Sequence, residues 1–316
     1  MSATHSPERL LYFAGTAFTG STLSAFMLNL HPQIVSVGEA AGPARGREAR
    51  VKSGEYACSC GAPLAECPFW TAVGEEVRAR GLEFDLWDWG MRFDPDDLPA
   101  RRLLTSSLRS NRADDLREAL ILRTPGLGKR FRATAHRNEA IMASVCSVAG
   151  KPVFADTSKG VFRARCLDRL TDLQPYVVHL VRDSLGFVAS KKSRREKNPR
   201  GAELGNAIRY WNRRAAQVER LFATLPPERR LRVRYEDLCT DPEREFGRIC
   251  SLVGLEPLPG PYDFLTGDHH IIGNPMRLAS SSEVVLDERW RSILSRDEID
   301  AVRRKTNGYR EKFGYA

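Results

Sequence analysis

Short apolar segments rich in β-branched and aromatic residues recur along the chain, separated by stretches long enough to form helices. Five of them predict buried strands, at residues 10–15, 34–37, 152–155, 176–181 and 231–235. Strands that alternate with helices in this way indicate an α/β fold, because the crossover helices cover both faces of a parallel sheet. The expected architecture is therefore a parallel β-sheet flanked by helices.

The helix that follows the first strand has the clearest pattern. Leu23, Phe26, Met27 and Leu30 occupy positions i, i+3, i+4 and i+7, which lie on one face of an α-helix. Pro32 then predicts its end, because proline cannot continue the hydrogen-bonding pattern.

The last thirty residues predict two helices. Ser295 and Glu298 have the spacing of a capping box, in which each side chain bonds the backbone N–H of the other residue. Gly308 is the predicted end of the final helix, since glycine is common at helix C-termini.

The organisation of the chain predicts one domain, residues 1–316, with an insertion at residues 71–137. The insertion is polar and rich in arginine and has no strand pattern, so we expect it to be helical. Specificity in an α/β enzyme resides in such added segments, so this one is expected to shape the site of the second substrate.

Composition is that of an ordinary globular protein, but the charge is not. Of 316 residues, 42% are hydrophobic and 28% charged, which excludes global disorder. The net charge of +9 indicates an anionic partner. Residues 101–137 hold ten Lys or Arg against three acidic residues, and residues 191–214 hold nine against two. No nucleic-acid-binding motif accompanies this charge, so a polyanionic small molecule is favoured over nucleic acid.

Neither a leader segment nor a membrane-spanning run is recognisable, which predicts a soluble, cytoplasmic protein. Four of the seven cysteines are scattered in apolar surroundings and are expected in the core: Cys146, Cys166, Cys239 and Cys250. Nothing in the sequence indicates the oligomeric state.

The first strand leads into a glycine-containing loop and then the amphipathic helix. Gly15 and Gly20, followed by Ser21 and Thr22, have the spacing of a phosphate-binding P-loop. Free backbone N–H groups and the helix dipole converge at such a turn, which favours an anion. The lysine that follows the second glycine in nucleotide triphosphatases is missing, which argues against tight binding of ATP–Mg²⁺.

A second candidate anion site follows the fourth strand. Arg182 and Asp183 come directly after that strand, and Ser190 lies eight residues beyond Arg182. Ligands bind at the carboxyl ends of strands in open parallel sheets, and an arginine with a hydroxyl suits a terminal phosphate.

Together these segments resemble the sulfotransferases that use phosphoadenosine phosphosulfate (PAPS). That family has a 5′-phosphosulfate loop after its first strand and an R-D-x(6)-S element for the 3′-phosphate later in the chain. Residues 15–23 and 182–190 are similar to these two elements, in the same order. Four further segments resemble the family, at residues 37–39, 156–159, 234–238 and 273–277. The resemblance implies a P-loop-like sulfotransferase fold, with tyrosylprotein and carbohydrate sulfotransferases among the well-known relatives.

The resemblance also implies roles for individual residues. Gly20, Ser21 and Thr22 would hold the 5′-phosphosulfate. The other residues implied to bind the donor are Thr19, Arg182, Ser190, Tyr235 and Arg277, of which Arg182, Ser190 and Arg277 would serve the 3′-phosphate. Glu39 would be the catalytic base and Lys159 would assist the leaving oxygen, with no metal required.

The resemblance implies sulfuryl transfer from PAPS to a hydroxyl or amine of a small-molecule, carbohydrate or peptide acceptor. One position departs from the family: Phe18 replaces the basic residue of the loop, and Thr19 follows it instead of serine. Either Lys159 or an arginine of the basic segments compensates, or the donor differs, or activity is low. The alternatives are a P-loop small-molecule kinase and a nucleotide-binding pseudoenzyme.

Three cysteines cluster in the segment C-x-C-G-x5-C, at Cys58, Cys60 and Cys67. Three thiols raise the possibility of zinc, but no fourth ligand follows at the spacing of a zinc finger. We expect a structural packing motif of thiols or a disulfide. His269 and His270 are adjacent, so in an extended segment their side chains point in opposite directions and do not share a metal.

Overall fold

The protein was analysed as a computed structural model, which describes residues 7–42, 56–93, 110–260, 262–263, 267–278 and 281–315. Its strands are β1 (Arg9–Gly15), β2 (Ile34–Val35), β3 (Val153–Lys159), β4 (Tyr176–Val181) and β5 (Arg230–Arg234). They form one five-stranded parallel sheet in the order β2-β3-β1-β4-β5. The predicted α/β class is confirmed.

Helices precede or follow each strand of this sheet. They are α1 (Ser21–Leu30), α2 (Pro68–Ala79), α3 (Asn111–Arg123), α4 (Pro125–Ala149), α5 (Val161–Leu170), α6 (Ser184–Lys192), α7 (Pro199–Ala202), α8 (Leu204–Phe222), α9 (Tyr235–Thr240), α10 (Pro242–Leu252), α11 (Trp290–Ile293) and α12 (Arg296–Lys312). None of the helices in the described residues is long and apolar enough to cross a membrane.

The chain divides into two compact units. Unit 1 comprises residues 1–13, 22–177 and 261–282, and unit 2 comprises residues 14–21, 178–260 and 283–316. In unit 1, Ile34 and Val35 of β2 pair in parallel with Val153 and Phe154 of β3. The four scattered cysteines are buried, as predicted.

The described part of the predicted insertion is helical except for residues 80–93, which form turns and irregular segments. It contains most of α2, all of α3 and the first half of α4, while residues 94–109 lie outside the described residues. Ion pairs attach α3 to α5: Arg165 binds Glu118 and Asp115, both at 2.7 Å. Burial of the Arg165 side chain makes these pairs structural contacts of unit 1.

The final helix begins where the sequence predicts and ends later. Ser295 and Glu298 form the complete capping box at the start of α12. The prediction that the helix ends at Gly308 is wrong, since α12 continues to Lys312. An interior glycine costs only about 1 kcal/mol in a helix, and burial of Val302 and Arg310 on one face offsets this cost. The left-handed glycine that follows the helix is Gly314, with φ +79°.

Candidate functional site

The loop between β1 and α1 is compact because its glycines admit close neighbours. Gly20 has φ +81°, and a Cβ atom there would lie 2.8 Å from the Tyr235 ring. A Cβ on Gly15 would collide with the Leu180 carbonyl oxygen of β4. Any larger residue at either position would therefore displace the loop. Helix α1 begins at Ser21, directly after the loop.

The predicted loop hydroxyls have different surroundings. Thr19 is buried, and its hydroxyl donates to the Thr16 carbonyl at 3.1 Å, so this side chain stabilises the loop itself. Ser21 is buried at the first position of α1, and Thr22 beside it is half-buried. A hydroxyl and free N–H groups at a helix N-terminus suit an anion.

Arg182 connects the two predicted anion-binding elements within unit 2. This buried guanidinium follows the end of β4, and its Nη1 donates to the Phe18 carbonyl at 3.0 Å and to Ser190 Oγ at 3.3 Å. The guanidinium also stacks on the Tyr235 ring, 4.5 Å from its centroid. The structure thus brings together Phe18 of the loop, Arg182, Ser190 and Tyr235.

Asp287 is a partner of Arg182 that sequence reasoning missed. Arg182 Nη2 donates to the Asp287 carbonyl at 2.7 Å and lies 3.1 Å from the Asp287 carboxylate. Hydrogen bonds from Arg289, and then from Arg182, hold the pKa of Asp287 well below its usual range. The segment around Asp287 is extended and has no periodic pattern, so no sequence signal marked it.

The Asp183 carboxylate binds residues other than the neighbouring Arg182. Its carboxylate caps α6 by accepting from the Leu185 N–H at 2.9 Å, and it pairs with Arg310 of α12. Asp183 is therefore a structural residue of unit 2.

Phe18, the departure from the family pattern, is covered by cations. Its ring lies 4.8 Å from the Arg194 guanidinium and 5.7 Å from Lys191 Nζ, and it contacts the Phe187 ring at 6.3 Å. The basic segment after Ser190 therefore supplies positive charge at the loop position where the family has a basic residue. Phe18 also has a left-handed backbone, with φ +66°.

Glu39 and Lys159 form an ion pair in unit 1. Lys159 Nζ lies 2.8 Å from Glu39 Oε1 and donates to the Thr157 carbonyl at 3.0 Å. The Lys159 side chain is 14% exposed and that of Glu39 is 44% exposed, so the pair opens to solvent on the glutamate side. The two residues that sequence reasoning selected as catalytic are thus in direct contact.

Neighbouring residues of β3 and of the segment after β2 fix the position of this pair. Asp156 is fully buried, accepts from the Ser158 N–H at 2.8 Å and pairs with buried Arg163 at 2.9 Å. The Thr157 N–H donates to the Gly38 carbonyl at 3.0 Å, which joins the end of β3 to the residue before Glu39. The role of Arg163 could not be predicted from the sequence, because a lone arginine in a helix carries no sequence signal.

Arg277, predicted to help bind the 3′-phosphate, is buried within unit 1. Its guanidinium donates to the carbonyls of Ala57 and Gly273, both at 3.0 Å, and stacks on the Tyr56 ring at 4.2 Å. These contacts join the segments at residues 56–57 and 273–277. A phosphate-binding role for Arg277 stays a prediction.

The chain is similar to known proteins both in sequence and in structure. The sequence model described as "Sulfotransferase family" matches residues 13–259. The sulfotransferase domain of the Synechococcus PCC 7002 olefin synthase is similar in structure, with 20% identity, 100% of this chain and 98% of that chain covered and a TM-score of 0.53. A sulfotransferase domain from the curacin biosynthetic pathway is similar over 99% of both chains, with 15% identity and a TM-score of 0.51. No curated protein sequence matches this chain. The family match spans more than half of the chain, and the chain therefore belongs to the sulfotransferase family.

Proposed function

We propose that this protein transfers a sulfuryl group from PAPS to a hydroxyl or amine of an acceptor, releasing adenosine 3′,5′-bisphosphate. The observation that carries the proposal is the buried Arg182, whose Nη1 bonds both the loop carbonyl of Phe18 and the Ser190 hydroxyl. The family's two donor-binding elements are thereby joined through one guanidinium. A kinase would need a P-loop lysine, and this chain has Ser21 at that position.

In this proposal the loop after β1 with the start of α1, and the residues that follow β4, bind the donor. The backbone N–H groups after Gly20, with the hydroxyls of Ser21 and Thr22, hold the 5′-phosphosulfate at the start of α1. Arg182 and Ser190 bind the 3′-phosphate, since a guanidinium and a hydroxyl both donate to phosphate oxygens.

The reaction is an in-line displacement at sulfur. The bond from sulfur to the bridging phosphate oxygen breaks as a bond from sulfur to the acceptor oxygen or nitrogen forms. Glu39 takes up the proton that the substrate hydroxyl or amine loses as it attacks sulfur. Lys159 stabilises the negative charge that develops on the leaving oxygen. In the structure Lys159 Nζ donates to Glu39 Oε1 at 2.8 Å, so in this proposal the lysine gives up that contact when it acts.

Thermal unfolding with two nucleotides tests the donor class. A ligand that binds only the folded protein stabilises it by about 2.7 kcal/mol at one hundred times its Kd, which raises the Tm. We expect a rise with adenosine 3′,5′-bisphosphate and none with ATP–Mg²⁺. A rise with ATP–Mg²⁺ alone would favour a kinase and contradict the proposal.

A variant of the 3′-phosphate site makes this test specific. Ser190→Ala removes the hydroxyl that Arg182 contacts, so the Tm rise with the bisphosphate should shrink. Ser251→Ala removes an exposed serine from α10 and serves as the matched control, which should keep the full rise. Equal rises in both variants would exclude Ser190 from the site.

A further inference from the structure

The cysteine segment acquires a fourth potential ligand from a distant part of the chain. Cys58, Cys60, Cys67 and His270 place three thiol sulfurs and one imidazole nitrogen within 4.8 Å of one another. His270 is 203 residues after Cys67, which is why a search at zinc-finger spacing did not find it. His269 points elsewhere and packs against Phe26, as expected for adjacent residues of an extended segment.

We propose that these four residues form a structural zinc site, which none of the comparisons assigns. Three thiolates and one imidazole are a ligand set that selects Zn²⁺ over Mg²⁺ or Ca²⁺, whose preferred ligands are oxygens. Four protein ligands fill a tetrahedral shell and leave no position for a substrate. The site is therefore structural and not catalytic.

Three of the six distances between ligand atoms are close to the edges of a tetrahedron around one zinc ion, and all six are within 4.8 Å. Zn–S bonds of about 2.3 Å and Zn–N bonds of about 2.0 Å imply S···S edges of about 3.8 Å and S···N edges of about 3.5 Å. Cys60 Sγ and Cys67 Sγ are 3.7 Å apart. His270 Nδ1 lies 3.3 Å from Cys67 Sγ and 3.7 Å from Cys58 Sγ. A disulfide would need sulfurs about 2.05 Å apart, so the same geometry disfavours that alternative.

The histidine is oriented as a metal ligand requires. Its Nδ1 faces the thiols, while Nε2 bonds the Asp268 carboxylate at 2.8 Å. A carboxylate on the second ring nitrogen fixes the ring and its tautomer in many zinc sites. The Phe69 ring stacks on the imidazole with centroids 4.2 Å apart and planes within 3°, which restricts the ring further.

Backbone contacts hold the ligand segments in place. Within the cysteine loop, the Cys58 N–H donates to the Ala62 carbonyl at 2.9 Å, and the Gly61 N–H donates to the Cys58 carbonyl at 3.0 Å. Gly61 allows this turn with a left-handed φ of +89°. The Ser59 hydroxyl donates to the His269 carbonyl and accepts from the Ile271 N–H, both at 2.7 Å. The loop is thus bonded on both sides of His270.

The proposed zinc would also stabilise the surroundings of Glu39. Immediately after His270, the Ile272 N–H donates to the Val37 carbonyl at 3.0 Å. The next residue, Gly273, donates to the Tyr56 hydroxyl at 2.7 Å and lies beside the Glu39 side chain, where a Cβ would be 3.8 Å from Cγ. A metal that fixes His270 therefore fixes the segment packed against Glu39.

Metal content and thiol counting test the site. In protein purified without added metal or chelator, we expect about one zinc per chain by mass spectrometry of the elements. After unfolding with a chelator under non-reducing conditions, all seven cysteines should react with a thiol reagent. A disulfide would consume two of the seven and leave five reactive, and that result would overturn the proposal.

Variants and cobalt exchange separate a bound site from adventitious zinc. Cys67→Ser and His270→Gln should each lose most of the zinc, whereas Cys239→Ser, a buried cysteine of unit 2, should keep it. Where a ligand variant fails to fold, the unaltered protein loaded with Co²⁺ still decides, through tetrahedral d–d absorption and a thiolate charge-transfer band. An octahedral cobalt spectrum, or zinc retained in folded ligand variants, would contradict the proposal.

Discussion

Phe18 and Lys159 both have backbone φ angles in the left-handed region, +66° and +69°, which residues other than glycine seldom adopt. Each such residue costs about 1–3 kcal/mol unless its surroundings hold it there. Phe18 is held by the Arg182 bond to its carbonyl and Lys159 by its ion pair with Glu39. Both strained positions therefore lie among residues proposed to act on the donor or acceptor.

The Glu39 carboxylate is the proposed proton acceptor, and an isosteric substitution tests it. Glu39→Gln keeps an oxygen that can accept from Lys159 but removes the basic carboxylate. We expect sulfuryl transfer from PAPS to a panel of phenols and sugars to fall by about 10²–10⁴, with bisphosphate affinity changed less than about twofold. Glu75→Gln, at an exposed position of α2, is the control and should retain full activity. Full activity in Glu39→Gln would remove Glu39 from the mechanism.

In the proposed function, Asp287 would compete with the 3′-phosphate for Arg182, which it contacts in the structure. In the Asp287→Asn variant the arginine loses a negatively charged partner, so we expect affinity for adenosine 3′,5′-bisphosphate to rise about three- to tenfold. Because the pKa of Asp287 lies below its usual range, the aspartate stays charged at neutral and mildly acidic pH. The gain should therefore be equal at pH 7.5 and pH 8.5, where the phosphates of the ligand also stay fully charged, measured by calorimetry.

Asp300→Asn removes the same charge from an exposed position of α12 and controls for net charge. It should leave the affinity unchanged. A loss of affinity in Asp287→Asn would mean that Asp287 orients Arg182 for the donor and does not compete with it.

Residues whose role depends on local spacing could be predicted from the sequence. Gly20 and Ser21 follow from the loop pattern, and Arg182 with Ser190 follows from their eight-residue spacing directly after a strand. Asp287 and His270 could not be found in this way, because their partners are more than one hundred residues away. Such pairs are set by tertiary structure alone.

At the scale of elements, all five predicted strands are present. Four of them contain compact apolar runs, whereas β5 alternates arginine with Leu231 and Val233. β2 ends at Val35, earlier than predicted, and Tyr235 begins α9 instead of ending β5. The third strand extends to Lys159, beyond the predicted end at residue 155. Its last residues include polar Asp156 and Lys159, whose charges are paired with Arg163 and Glu39. The sequence predicts the end of α12 too early, at Gly308, because an exposed glycine inside a helix has the same pattern as a helix end.

We propose that the start of the basic segment after Ser190 compensates for the missing basic residue at Phe18. Arg194 stacks on the Phe18 ring next to the loop, so Arg194→Gln should weaken bisphosphate binding about three- to tenfold. Arg195→Gln removes the same charge from the next exposed residue and should have a smaller effect. Equal losses in the two variants would indicate a general effect of net charge and no specific role for Arg194.

At the scale of the whole molecule, a buried histidine makes stability depend on pH. His179 lies among Phe222 and Phe313, and burial, with a smaller contribution from Arg232, lowers its pKa to about 3. In the unfolded chain the pKa returns to about 6.5, so the unfolded state binds a proton first as pH falls. Stability should therefore decrease from about pH 6.5 down to about pH 3, by about 2 kcal/mol at pH 5 for this residue.

Urea unfolding between pH 7 and pH 5 measures this dependence. His179→Gln should be less stable at pH 7 but should lose less additional stability on acidification. His136→Gln, at an exposed position of α4, should keep the dependence of the unaltered protein. An unchanged slope in His179→Gln would show that other groups dominate acid unfolding.

From the net charge of +9 and the candidate anion-binding elements of unit 2, we propose that the protein binds PAPS through its 3′-phosphate as well as its 5′-phosphosulfate. Calorimetric titration with adenosine 3′,5′-bisphosphate and with adenosine 5′-monophosphate tests it most directly, since the two ligands differ only in the group assigned to Arg182 and Ser190. We predict at least about tenfold tighter binding of the bisphosphate, or about 1.4 kcal/mol, because a phosphate gains charged hydrogen bonds there. Equal affinities for the two nucleotides would contradict the account.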